Sequence, residues 1–109
     1  MPSWTIRLAR KAEQDVAEIF AWTAEHFGLG QAQIYAETLT LALEALFDGP
    51  GILGVKKRDD ILPGIYLLHV ARQGRRGRHV VVFRQRPGQI IDVLRILHDS
   101  MDLVQHLDA

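Results

Sequence analysis

The chain has 109 residues, 48% of them hydrophobic, with 13 basic and 13 acidic side chains and no cysteine. This length predicts a single domain, residues 1–109, with one core. The apolar fraction excludes a disordered polypeptide. The lack of cysteine excludes disulfide frameworks, thiol catalysis and cysteine-based zinc sites, which suits a reducing cytosol.

Trp4-Thr5-Ile6-Arg7-Leu8 alternates apolar and polar residues, as a half-buried strand does. A helix follows, with Ala12, Val16, Ile19, Phe20, Thr23 and Phe27 at spacings of three or four on one face. Phe27-Gly28-Leu29-Gly30 ends it, because glycine accepts a left-handed cap. A second helix is predicted over Gln31–Phe47, with Ala32, Tyr35, Leu39, Ala42, Leu43 and Leu46 as its stripe. So short a link predicts an antiparallel helical hairpin. Trp22 and Leu29 fall outside both stripes; Trp22 is assigned to the core and Leu29 to a partner-facing apolar patch.

Asp48-Gly49-Pro50-Gly51 stops the second helix, and residues 51–64 read as loop. Strands are predicted over Ile65–Arg72, Arg78–Arg86 and Gln89–Leu97, joined by turns at 73–77 and Pro87-Gly88. Such short turns make an antiparallel meander. The tail from Asp99 to Ala109 can form a short helix on Met101, Leu103, Val104 and Leu107. The fold class is therefore α+β, in the order β-α-α-β-β-β-(α), with the hairpin packed on a mostly antiparallel sheet that the first strand joins.

Charge is unevenly spread. From Glu13 to Val55 there are seven acids and no Lys or Arg; from Lys56 to Arg95 there are ten bases and three acids. Two readings stand: oppositely charged solvated faces, or a basic surface that meets an acidic partner or a nucleic acid. Met1-Pro2-Ser3-Trp4 leads straight into a strand with no basic region and apolar run behind it. The longest apolar runs, Ile65–Leu68 and Val80–Phe83, are far short of a membrane span. A cytoplasmic protein with no membrane association is the expectation.

Chemistry-bearing motifs are sparse. There is no Walker loop, dinucleotide fingerprint or nucleophile elbow. His26, His69, His79, His98 and His106 show no zinc-pair spacing, so neither metal nor cofactor is expected. Arg78 and Arg84 can share a sheet face by the two-residue period. Clustered arginines bind carboxylates or phosphates, or keep a face solvated.

The ordered set of fragments carries a resemblance over nearly the whole chain. Ala12-Glu13-Gln14-Asp15 opens the first helix, which continues through Ile19 and Trp22-Thr23 to Phe27-Gly28. Gln31-Ala32 and Tyr35 open the second. Then come Arg58-Asp59-Asp60-Ile61, Pro63-Gly64 and Arg78-His79-Val80-Val81-Val82-Phe83-Arg84. Last are Ile91-Asp92-Val93-Leu94-Arg95-Ile96-Leu97-His98, Met101-Asp102 and His106-Leu107. This set resembles the RelE/ParE toxin superfamily, and the ParE branch in particular.

The resemblance implies a cytoplasmic toxin that inhibits DNA gyrase and is neutralised by a ParD-like antitoxin. The antitoxin's tail would lie across the helical hairpin and sheet, with Leu29, Tyr35, Arg78 and Arg84 as contacts. The toxin would belong to a heteromeric complex without itself binding a specific DNA sequence. Toxicity or target binding falls to the C-terminal segment, with Arg95, His98, Met101 and Asp102 as candidates and Asp102 a possible ion-pair partner of Arg95. The RelE branch instead cleaves messenger RNA on the ribosome. On that alternative His98, His79 and Arg84 would be catalytic, with histidine as acid–base. Against it, nothing after Arg95 is Lys or Arg, and Asp99, Asp102 and Asp108 would repel RNA. His98 otherwise ends the last strand and bonds to Asp102 or to backbone.

Overall fold

The computed structural model describes residues 3–107; Met1, Pro2, Asp108 and Ala109, the two ends of the expected pattern, lie outside the described residues. The elements are β1 (Thr5–Leu8), α1 (Arg10–Phe27), α2 (Leu29–Ala45), a 3-10 turn (Leu46–Asp48), β2 (Lys56–Lys57), β3 (Ile65–His69), β4 (His79–Arg86), β5 (Ile90–His98) and α3 (Leu103–His106). The sheet order is β1-β5-β4-β3-β2. β2 to β5 pair antiparallel in succession, and β1 pairs parallel to β5 because the whole helical hairpin lies between them in the chain.

The hairpin turns on one residue. Gly28 has φ 93°, donates its N–H to the Ala24 carbonyl and accepts from the Ala32 N–H, so it closes α1 and opens α2 together. α2 therefore starts at Leu29, two residues before the expected Gln31, and its regular turns end at Ala45. The expected loop 51–64 contains the two-residue β2, too short to show a period. The strand expected over Ile65–Arg72 stops at His69, because Val70 turns to bond the His79 carbonyl and the 73–77 turn has begun.

The sheet is buried on both faces. Against the hairpin lie Leu68, Val70, Val81, Phe83, Ile91, Val93 and Ile96, under Ala12, Leu39, Ala42 and Leu46. On the other face Ile65, Leu67, Val80, Val82 and Leu97 are covered by Ile61, Leu62, Leu103 and Leu107. Burial on both faces explains why β4 reads as a continuous apolar run rather than an alternation. Between the Val82–Arg95 and Phe83–Val93 pairs, β5 carries one extra residue, Leu94, a bulge that increases the local twist. Among the described residues no helix is long and apolar enough to cross a membrane.

Candidate functional site

A groove of about 1170 Å³ opens where α1, α2, the upper halves of β4 and β5, and the C-terminal segment meet. Its walls are largely apolar. Trp22, Phe27 and Ile34 line it while 55, 64 and 54% exposed, and Met101 faces them from the tail. Trp22 is thus not a core residue, contrary to the sequence-based assignment, and Phe27 leaves the core stripe as well. Trp22 instead stacks on His26, with ring centroids 4.1 Å apart, and meets Phe27 edge-on. An exposed apolar surface of this kind, rimmed by polar residues, marks an interaction site.

One side of the groove is held by a buried ion pair. Asp15, 7% exposed, accepts from Arg95 Nε at 2.8 Å and Nη2 at 2.9 Å, and from the Ile96 N–H at 2.9 Å. Arg95 also donates to the His106 carbonyl at 3.3 Å, so it ties α1, β5 and the tail together. The expected Arg95–Asp102 pair is replaced by this one. Asp102 caps α3 by accepting from the Val104 N–H at 3.1 Å. Asp15 was visible in sequence only as part of a motif. Its partner stands 80 residues away, and no local signal joins them.

The floor carries a polar network. The Tyr35 hydroxyl accepts the Arg78 N–H at 3.0 Å and meets His79 Nδ1 at 2.6 Å. Burial raises the Tyr35 pKa, so the hydroxyl stays protonated while it shares a hydrogen bond with His79 Nδ1. Burial, and then the neighbouring His98, push the His79 imidazole down to about 4. The two rings meet edge-on, 5.3 Å apart. His98 Nδ1 bonds Ser100 Oγ at 2.7 Å and accepts the Ser100 N–H at 3.2 Å, rather than reaching Asp102. Asp99 receives Arg78 at 3.0 and 3.1 Å and His69 Nε2 at 2.9 Å, and the hydrogen bonds from Arg78 first and then His69 hold its carboxyl well below the usual range. Gly77 makes this packing possible. A Cβ there would sit 2.5 Å from Val70 Cγ2 and 3.1 Å from the Tyr35 hydroxyl.

A pH dependence follows from His79. The unfolded imidazole takes a proton near pH 6.5, the folded one only near 4. Between those values the unfolded state binds more protons, so stability falls as pH drops from about 6.5 to 4 and is constant in this respect outside that window. Urea titrations should show a loss attributable to this group of at most about 3 kcal/mol, lessened by solvent screening because the ring is only half-buried. His79→Gln, which keeps an acceptor for Tyr35, should make the slope shallower; an unchanged slope would contradict the assignment.

The sequence-derived candidates separate into two groups. Tyr35, Arg78, His79, Arg95, His98 and Met101 all line the groove. Arg84 does not; it lies five residues along β4 from His79, about 17 Å at strand spacing, so it joins neither histidine nor Arg78 in one site. Leu29 is exposed at the hairpin's turn, outside the groove lining, and Asp102 is held at the start of α3. The residues missed by sequence reading are Asp15, Ile34 and Arg75. Arg75 fastens the 73–77 turn to α2 through Thr38 Oγ1 at 2.9 Å, Glu37 Oε1 at 3.1 Å and the Ile34 carbonyl at 3.1 Å. Among the described residues no group of three or more His, Asp or Glu is placed to hold a metal ion.

The helical hairpin on a five-stranded sheet is a fold shared with solved toxin–antitoxin structures. It matches a "Chromosomal ParDE TA system from P. aeruginosa" with a TM-score of 0.71 at 21% identity, covering 87% of this chain and 95% of that one. It matches the RelBE2 toxin–antitoxin complex of Mycobacterium tuberculosis with a TM-score of 0.57 at 20% identity, covering 88% and 98%. These likenesses establish the fold. Residues 6–103 match the sequence model of the ParE toxin of type II toxin–antitoxin systems. Toxin ParE1 of Caulobacter vibrioides is 32% identical over 101 residues, 93% of this chain and 95% of its own. Toxin ParE1 of M. tuberculosis is 30% identical over 100 residues, 92% and 94%. The chain belongs to the ParE toxin family of type II toxin–antitoxin systems.

Proposed function

We propose that this toxin inhibits DNA gyrase in the cytoplasm and is neutralised by a ParD-like antitoxin seated in the groove. The observation that carries the antitoxin half is the groove itself: Trp22, Phe27 and Ile34 stand exposed on one concave surface, bordered by arginines. Clustered exposed aromatics beside arginine are the residue types that dominate binding energy at protein interfaces. Arg76 on the rim is exposed and has no ion pair among the described residues, which favours an acidic partner segment. The gyrase half rests on the family and on the polar network. A general base for RNA cleavage needs a pKa near the working pH. His79 is held near 4 with its Nδ1 engaged by Tyr35, and Arg84 is remote. The toxicity determinants are placed on the C-terminal segment, at Arg95, His98, Met101 and Asp102.

The test is induced expression without antitoxin, reading the DNA-damage response and total RNA integrity in one culture. Damage signalling with intact messenger RNA is expected. As a target-contact residue, His98 should on replacement by alanine weaken toxicity while messenger RNA stays intact. Rapid messenger cleavage, abolished about 100- to 10,000-fold by His98→Ala, would establish ribonuclease action instead.

A further inference from the structure

We infer that the sheet face opposite the hairpin carries a phosphate-binding patch, Arg7, Arg84 and Arg86, that meets the backbone of duplex DNA without reading its sequence. The inference goes beyond the function proposed above; only the choice of DNA over duplex RNA rests on the gyrase reading.

Strand alternation brings the three arginines together. Val80 and Val82 of β4 belong to the cluster on the face away from the hairpin, so Arg84 and Arg86 point to that face too. Ile6 and Leu8 of β1 pack on the hairpin side, as do Ile91 and Val93 of β5, which leaves Arg7 and Asp92 on the opposite face. The register then sets Asp92 between Arg7 on one neighbouring strand and Arg84 on the other. At strand spacings Arg7 and Arg84 stand about 10 Å apart, and Arg84 and Arg86 about 7 Å. None of the three lines the groove.

Positive charge is in surplus there. Asp92 is shared by Arg7 and Arg86, each at 3.3 Å, and the two arginine side chains remain 56 and 51% exposed. The Arg84 guanidinium has no ion pair or hydrogen bond among the described residues, although the residue is partly buried. Three cations thus meet one carboxylate. Elsewhere in the basic run Lys57, Arg58 and Arg75 each have an acid of their own, in Asp59, Asp60 and Glu37. A partly covered guanidinium with no partner lacks a charge-assisted bond that a phosphate can supply bidentately.

The surroundings select the class of anion. None of the large apolar residues left exposed belongs to β1, β4 or β5, so the patch lacks the apolar anchor that carries protein interfaces. For the same reason it offers no aromatic platform on which unpaired bases could stack. What remains is contact with backbone phosphates, which fixes a protein on a duplex and carries no sequence information.

The experiment is fluorescence anisotropy of a labelled DNA duplex of about 20 base pairs, titrated with the full chain across a salt series. The slope of log affinity against log salt should be about −2 to −3, since each phosphate contact contributes about −0.9. Arg84→Gln should flatten the slope by about 1, which is a loss of about eightfold in affinity at about 0.1 M salt. Asp92→Asn should tighten binding and steepen the slope, a change that a misfolded variant cannot produce. Lys57→Gln, at the far edge of the sheet, should leave the affinity within about twofold. No binding at about 0.05 M salt, or equal losses for Arg84→Gln and Lys57→Gln, overturns the patch. Unlabelled duplex DNA should displace the probe at least as well as duplex RNA or polyglutamate; a better competitor of either kind overturns the assignment to DNA. Binding is read without gyrase, so its failure is distinct from a failure of the expression test above.

Discussion

Asp15→Ala is expected to lower the unfolding free energy by about 3–5 kcal/mol, the cost of removing one partner from a buried ion pair. The carboxylate accepts three hydrogen bonds, two from Arg95 and one from the Ile96 N–H. Its removal takes two hydrogen bonds from a guanidinium that is itself mostly covered and leaves the Ile96 backbone donor without its acceptor. Asp15→Asn should cost less, because an amide oxygen still accepts from one donor. Denaturant unfolding of the two variants would check the order. A loss below about 1 kcal/mol for Asp15→Ala would mean that the pair behaves as an exposed one. Because Arg95 also holds the His106 carbonyl, the same substitution should loosen the C-terminal segment. Faster exchange of the tail amides than of the β4 amides would show that coupling.

Phe83→Ala should be comparably damaging, at about 3–5 kcal/mol, while Trp22→Ala should leave stability within about 0.5 kcal/mol. Both residues are large aromatics, and the difference is their cover. Phe83 is fully buried and stacks on Tyr66 with centroids 5.5 Å apart, so truncation opens a cavity under the hairpin. Trp22 overhangs the groove and touches mainly His26 and Phe27. Its truncation should act on binding instead, weakening the antitoxin complex by about 30-fold or more if Trp22 anchors the partner. Trp4 is packed against Gly49, so changes in fluorescence on complex formation report chiefly on Trp22. Thermal unfolding and titration of the two variants separate the effects. A Trp22→Ala protein as unstable as Phe83→Ala would return Trp22 to the core.

Much of the fold could be read from local pattern. The alternation of Thr5–Leu8, the helical stripes around Ala12 and Leu39, and the turns at 73–77 and Pro87-Gly88 each act within a few residues, where sterics and periodicity are sufficient. They led to the correct order of elements and to the hairpin on the sheet. The resemblance carried by Arg95-Ile96-Leu97-His98 and Asp102 pointed to the toxin family without any of the geometry. Two-residue β2 was missed because a pair of lysines has no period to detect.

The groove was a different matter. Apolar residues of a helix can be read from sequence, but not which of them another element covers, so Trp22 and Phe27 read as core although the structure leaves them 55 and 64% exposed. Asp15 and Arg95 meet across 80 residues, and no spacing rule predicts such a pair. Arg78 and Arg84 share a strand period, yet the length of β4 keeps them apart. Periodicity is a property of neighbours along the chain and survives in the sequence. Contact between α1, β5 and the tail depends on where β1 lets go of the sheet, and that is set by packing of the whole molecule.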